Sequence, residues 1–366
     1  MRVALLDPPG YTPQYDDRLA AALAGRGHDV DLLTTRFVHG EVPDPQGYRR
    51  EELFFRRSTQ FLAGRPRSRL RYPAKALDYW PSVRALLRRV EALKPQVVHV
   101  QWLIRPHFDL RWVRRLATPK VYTAHNATLR QGPERRDEWR EVLTAFDGVV
   151  VHSHRGLERL AELGVDRKRL VRIPHPAFDA PAGAVTPPAG SALLFFGLIR
   201  EHKGLDVLIR ALPEIPGARL VVAGDEVDPV APLRELAAEL GVADRIEWRI
   251  GYLPQDEVDA LMRDAAIAVL PYREADASGV LATALGHGRP AVVSDVGTLG
   301  ETVEEFGAGA VVPPGDPAAL ARACAALLAD RHALAAAAAG AATARSELTW
   351  DASAAAHERL YEEVAQ

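Results

Sequence analysis

Arg200 and Lys203 stand three residues apart in the run Phe195-Phe196-Gly197-Leu198-Ile199-Arg200-Glu201-His202-Lys203-Gly204. Before them, residues 192–196 have the length and apolar content of a buried strand. After them, Leu205, Leu208, Ile209 and Leu212 recur at helical spacing. A strand, a basic turn bracketed by glycines and a helix start therefore follow one another directly. That arrangement aims backbone N–H groups and two cations at one point, and the ligand it suits is an anion such as a phosphate. An ordinary strand-to-helix turn with solvated basic residues has the same local pattern, so the rest of the chain must decide. Three other short strands also end in polar side chains. Residues 97–100 lead into Gln101-Trp102, 120–123 into Ala124-His125-Asn126, and 148–151 into His152-Ser153-His154. In an open α/β sheet the carboxyl ends of the strands are where ligands bind, so three such ends read as a lined cleft.

The elements that must position these residues alternate between strand and helix. Residues 3–6 form a first strand, Pro8-Pro9-Gly10-Tyr11-Thr12-Pro13 a rigid loop, and Asp16 or Asp17 caps a helix in which Leu19 and Leu23 recur. Residues 30–33 form strand two, completing a βαβ unit with parallel strands. The pattern blurs from Phe37 to Arg71, where Arg49, Arg50, Arg56, Arg57, Arg65, Arg67, Arg69 and Arg71 are interleaved with Phe54, Phe55 and Phe61. This stretch reads foremost as a solvated, variable loop. Its basic and aromatic content gives a secondary expectation, peripheral contact with an anionic membrane through residues 49–71. A helix is expected over residues 81–93. The Ala-, Pro- and Gly-rich stretch from Asp179 to Gly190 is the best linker, and a second strand–helix alternation follows it. The division expected is a first domain at 1–180, a linker at 181–190, a second domain at 191–348 and a final helix at 349–366.

Bulk properties exclude several classes. A chain of 366 residues exceeds one ordinary core, which implies two domains. The net charge of −2 gives no electrostatic argument for nucleic acid. Cys324 is the only cysteine, so no disulfide forms within the chain, and a reducing cytoplasm is expected. The opening Met1-Arg2-Val3-Ala4-Leu5-Leu6-Asp7 reads as a strand rather than a signal peptide, and no apolar run approaches the ~18–20 residues that span a bilayer. The Gly-x-Gly-x-x-Gly signature is missing from both first turns, which argues against a nicotinamide dehydrogenase.

With these residues in view, the chain resembles the retaining glycosyltransferases of family four, which have the GT-B fold. The resemblance covers nearly the whole chain and rests on ordered pieces. These are Tyr11-Thr12-Pro13, Gly27-His28-Asp29-Val30, Thr123-Ala124-His125-Asn126, Ile173-Pro174-His175, Phe196-Gly197 with Lys203-Gly204, and Val222-Ala223-Gly224. The strongest runs from Pro271-Tyr272 through Ser278-Gly279-Val280-Leu281-Ala282-Thr283-Ala284 to Gly288-Arg289-Pro290. The resemblance implies two Rossmann-like domains facing across a cleft, with the last helix crossing back to the first domain. It also implies a nucleoside-diphosphate sugar as donor substrate, a hydroxyl acceptor, no cofactor and no metal.

Residue by residue, it implies that Lys203 and Arg200 meet the diphosphate, with His125 lining the reacting centre. It assigns Ser278, Gly279 and Val280 to the donor phosphates and Gly197 to the donor site; Thr283 falls at the position that meets the ribose, and Glu274 or Asp276 would stand in for the missing acid at the donor sugar. Gly10, Tyr11, Gln101, Trp102 and Asn126 line the acceptor side. The chain departs from the family at Leu198, where arginine is frequent, and at Ala275 and Thr283, where two glutamates are usual. A nucleotide-sugar 2-epimerase and a binding module without turnover are the alternative readings.

Overall fold

The computed structural model describes residues 1–37, 42–61, 71–126, 136–181, 188 and 190–366. The chain divides into two compact units, Met1–Pro174 together with Trp350–Gln366, and His175–Thr349. The first holds a seven-stranded sheet made of β1 (Arg2–Asp7), β2 (Asp29–Thr35), β3 (Arg49–Phe54), β4 (Val97–Val100), β5 (Lys120–Thr123), β6 (Gly148–Val151) and β7 (Leu170–Arg172). Its order is β3-β2-β1-β4-β5-β6-β7, with every pairing parallel. The second holds β8 (Ala192–Phe196), β9 (Arg219–Gly224), β10 (Ile246–Ile250), β11 (Ile267–Leu270), β12 (Ala291–Ser294) and β13 (Gly309–Val312). Its order, β10-β9-β8-β11-β12-β13, repeats the same topology, again all parallel. β4, β6, β11 and β12 are buried along their whole length, as strands covered on both faces must be. In each sheet the winding direction reverses beside the first strand, between β1 and β4 and between β8 and β11. That reversal opens a crevice at the carboxyl ends of the strands.

Several expectations change in the structure. The first helix runs Pro13–Gly25 behind Thr12, so Asp16 lies buried in its first turn and Asp17 just beyond it, and neither caps it. Proline needs no N–H partner at a helix start, and that advantage moves the boundary upstream. The helix expected from residue 81 begins ten residues earlier, Arg71–Leu93, with Pro81 inside it. Burial of Tyr79, Val83, Leu86 and Val90 in the core offsets the hydrogen bond that Pro81 removes. Nor is the arginine-rich segment one variable loop. It contains edge strand β3 and a helix, Arg56–Phe61, while Phe54 and Phe55 are core residues. Arg49 is held by Asp29 and Asp31 at 2.6 Å, and Arg65, Arg67 and Arg69 lie outside the described residues. Residues 175–180 belong to the second unit. Ala177 N–H donates to the Leu348 carbonyl at 2.8 Å and Phe178 N–H to that of Ala282 at 3.1 Å. No helix among the described residues is long and apolar enough to cross a membrane.

The last helix, Trp350–Val364, packs into the first unit. Leu360 lies over Gly148, where an added Cβ would come 3.0 Å from its Cδ1, and the Tyr361 hydroxyl is 2.6 Å from His99 Nδ1. Arg26 and Glu358 pair at its outer edge, 2.7 Å apart. Leu360→Ala is therefore expected to destabilise the first unit by about 2–4 kcal/mol, read by denaturant unfolding. Glu358→Ala, which removes a solvent-screened ion pair, should leave the unfolding transition nearly unchanged in the same measurement.

Candidate functional site

At the β8/β11 reversal, two turns are locked together. Gly197 follows β8 with φ +102°, and a Cβ there would stand 3.0 Å from both Lys203 Nζ and Val280 Cγ2. Lys203, Gly197 and Val280 thus converge on one point beside the start of helix Gly279–Gly286. The turn residues Glu201–Lys203 form a single 3-10 turn closed by Gly204 at φ +66°, whose Cβ would lie 2.0 Å from the Pro271 carbonyl oxygen. Only glycine meets both the left-handed backbone and that approach. Arg273 then bridges the turns. Its backbone N–H donates to the His202 carbonyl at 2.7 Å, and its guanidinium donates to the Glu201 carbonyl and to both Asp206 oxygens at 2.8 and 2.6 Å.

Burial, with the nearby Arg200 charge, pulls the Lys203 ammonium down to about 8. Its nitrogen lies 5.3 Å from the Tyr272 ring centroid, a cation–π contact. Among the described residues, neither Lys203 nor the exposed Arg200 has a carboxylate partner. Ser278 caps the helix, its hydroxyl accepting from Leu281 N–H at 3.3 Å. Glu274 is exposed, whereas Asp276 is half-buried and its backbone carbonyl accepts from Thr298 N–H at 2.7 Å. The Thr283 hydroxyl donates to the Gly279 carbonyl at 2.8 Å, which leaves it only acceptor capacity toward a ligand. Ala275 packs against the apolar core beneath. Arg289 of the Gly-Arg-Pro run is fully buried and serves the framework, donating to the carbonyls of His287 and Ala265 at 3.3 and 3.2 Å.

The β1/β4 reversal in the first unit collects a second group. His125 is stacked on Trp102 with ring centroids 5.0 Å apart and planes 12° from parallel, and Tyr15 meets it edge-on at 4.9 Å. Its Nε2 lies 3.0 Å from Gln101 Oε1 and its Nδ1 lies 3.3 Å from His152 Nε2. Tyr11 is exposed and leans edge-on against Trp102 at 5.3 Å, while Asn126 is exposed at the strand end. Gly10, at φ +68°, approaches Thr35 so closely that a Cβ would come 2.7 Å from its methyl. Tyr15, Asp7 and Asp16 carry no role at the site in the sequence analysis. The carboxyls of Asp7 and Asp16 nevertheless meet in the interior, 0% and 1% exposed. Burial raises both, and the Asp7 charge holds Asp16 well above the usual carboxylate range, so the pair retains a proton. Asp7 accepts from Gly10 N–H at 3.0 Å and Thr12 N–H at 3.3 Å, which fixes the turn. Eight residues, the last three of them already helical, separate the two carboxyls in sequence, and only the β1-to-helix turn reveals the pairing. Beside them, at the carboxyl ends of β1–β3, is a cavity of about 130 Å³ lined by Asp16, Thr35, Arg36, Arg50 and Glu52 among others.

Two parallel sheets of the same reversed order, each with its polar cluster at the switch point, define a double Rossmann-like α/β protein of the GT-B kind. Comparison with known proteins places it further. Residues 15–177 match the family model described as Glycosyltransferase Family 4, and residues 190–330 match that of Glycosyl transferases group 1. The chain is 31% identical over 268 residues to a D-inositol 3-phosphate glycosyltransferase of Nocardia farcinica, covering 64% of this chain and 57% of that one. It is 30% identical over 302 residues to the protein of that name from Xylanimonas cellulosilytica, covering 72% and 71%. Among solved structures, sucrose-phosphate synthase from Thermosynechococcus elongatus superposes with a TM-score of 0.76 at 21% identity, over 99% of this chain and 98% of that one. Anabaena HepE in complex with UDP gives 0.73 at 16% identity, over 100% and 98%. The chain belongs to the group 1, family 4 glycosyltransferases.

The glycine contacts make a direct test of the Lys203–Gly204 turn. Gly204→Ala is expected to cost roughly 2 kcal/mol or more in the unfolding of the second unit. Gly217→Ala has a similar φ of +70° but open space around its Cβ, and should cost only about 1 kcal/mol. Equal losses would mean that the Pro271 approach is unimportant.

Proposed function

We propose that the protein is a retaining glycosyltransferase that moves a hexosyl group from a nucleoside-diphosphate sugar to a hydroxyl acceptor. One observation carries the reading: Lys203 and Arg200, neither of them paired with a carboxylate among the described residues, stand on a rigid turn beside a helix start. Two cations held in this way lack an anion, and a donor diphosphate supplies it. The similarity to HepE, whose structures are titled as complexes with UDP and with UDP-glucose, supports a nucleotide-sugar donor.

In this reaction the bond from the anomeric carbon to the phosphate oxygen breaks, and negative charge grows on the departing diphosphate. Lys203, Arg200 and the N–H groups of Gly279 and Val280 meet that charge, in the place a divalent metal would otherwise fill. The acceptor hydroxyl bonds to the anomeric carbon from the same face and passes its proton to the leaving phosphate oxygen, so configuration is retained. Glu274 and Asp276 orient the donor sugar, and the Thr283 oxygen accepts from a ribose hydroxyl. His125 lines the reacting centre on the acceptor side. The relatives named for D-inositol 3-phosphate, and the mixture of carboxyl, hydroxyl and guanidinium groups around the β1–β3 cavity, favour a polyhydroxylated acceptor bearing an anionic group.

Nucleoside diphosphate release, measured against a panel of donors and polyol phosphates, tests the reading. Lys203 carries its charge below pH about 8 in the free protein, so donor kcat/KM should fall as pH rises through that value. Lys203→Ala should lower donor affinity tenfold or more at pH 7. Release of free, epimerised sugar nucleotide would move the protein to the epimerase class. Donor binding without release under any acceptor would make it a binding module.

A further inference from the structure

We infer that Tyr272 is a positioning residue for Lys203: its ring face steadies the ammonium without setting a negative charge beside the diphosphate. The diphosphate belongs to the transferase reading, whereas the contact between ring and lysine is a property of the free protein.

Backbone geometry builds that contact. Tyr272 follows β11, between two residues that are locked to the Lys203 turn. On one side the Pro271 carbonyl oxygen presses on Gly204, where a Cβ would come within 2.0 Å. On the other, Arg273 donates its N–H to the His202 carbonyl at 2.7 Å and its guanidinium to the Glu201 carbonyl at 3.0 Å. Residues 271–273 thus strap the end of β11 onto residues 201–204. The ring between the straps is 4% exposed, and its hydroxyl is buried beside the Ser278 side chain. Burial raises that hydroxyl above its ordinary value, so the ring is a neutral phenol. Lys203 Nζ stands 5.3 Å from the ring centroid, within reach of a cation–π attraction.

The other neighbours of the ammonium are apolar or repel it. A Cβ at Gly197 would lie 3.0 Å from both Lys203 Nζ and Val280 Cγ2, so ammonium and methyl border one small space. Helix Gly279–Gly286 carries no ionisable side chain. Arg200, on the same turn, repels the ammonium, and burial also disfavours its charge. Asp206, three residues further on, is taken up by Arg273 at 2.8 and 2.6 Å. Among the described residues, no hydrogen bond or ion pair holds the Lys203 ammonium, and the ring face supplies the attraction. A carboxylate in its place would hold the lysine more tightly. It would also repel the diphosphate and compete for the same ammonium. The ring is uncharged, so it need not leave when phosphate oxygens arrive.

Lys203 is one of five lysines in the chain, and lysine side-chain NMR follows its ammonium through a pH titration of the full chain without ligand. The wild-type midpoint should lie at about 8. Tyr272→Phe keeps the ring face and should leave the midpoint in place. Tyr272→Leu removes the face and should lower the midpoint by roughly one pH unit. Phenylalanines with successive ring fluorines at position 272 weaken the face while keeping its shape, and the midpoint should fall step by step. At pH about 8, Tyr272→Leu should bind nucleoside diphosphate roughly fivefold more weakly than the wild type. At pH about 6 the lysine is charged in both proteins, and the loss should shrink to under about twofold. A loss equal at both pH values would mark a merely structural role and overturn the inference. So would a fluorine series with a constant midpoint, or a Tyr272→Phe variant shifted as far as Tyr272→Leu. Should Tyr272→Leu fail to fold, the fluorinated series still decides. A protein that binds no nucleoside diphosphate but keeps the stepwise titration would count against the transferase reading and leave the Tyr272–Lys203 contact standing.

Discussion

The Lys203 turn of the second unit depends on how closely backbones cross at three glycines. A Cβ at Gly224 would lie 2.0 Å from the Gly197 carbonyl oxygen, and one at Gly204 would lie the same distance from that of Pro271. A third, at Gly297, would come within 2.4 Å of the Ala275 and Asp276 carbonyls. These approaches draw the ends of β8, β9 and β11 and the helix start at Gly297 into one compact rim. Lys203 is presented there by backbone geometry, with no carboxylate among the described residues to hold it. Its burial disfavours its own charge, so the arrangement opposes stability until an anion arrives.

The first unit solves its problem differently. Polar groups at the β1/β4 reversal are buried and hydrogen-bonded to one another. Asp7 fixes the turn through Gly10 and Thr12, Thr12 joins Asp16 to Trp102, and Trp102 stacks on His125. A buried network of this kind is rigid only while every member has a partner, which makes the proton on the carboxyl pair structural. The last helix completes the network, since Tyr361 meets His99, and Trp350 stands edge-on to Tyr15 at 5.2 Å.

Much of this was legible in the residues. Strand-length apolar runs followed by glutamine, histidine or glycine marked the carboxyl ends of β4, β5, β6 and β8, because parallel strands buried on both faces leave few ways to place a polar residue. The turn around Lys203 was readable for the same reason. What escaped was set by tertiary partners. β3 is a charged edge strand whose Arg49 pairs with Asp29 and Asp31, so it carries no alternating apolar signal. Pro81 looks like a helix start locally, yet the core packing around it carries the helix through. The hydrogen bond from Thr283 to the Gly279 carbonyl and the meeting of Asp7 with Asp16 are likewise invisible without coordinates.

The central claim is that the turn at Lys203 and the helix start at Gly279 hold a diphosphate. The most direct measurement is the structure of the protein bound to whichever nucleoside diphosphate stabilises it most. The account predicts phosphate oxygens within about 2.7–3.2 Å of Lys203 Nζ and of the Gly279 or Val280 N–H. A diphosphate bound elsewhere, with Lys203 still resting on Tyr272, would contradict it.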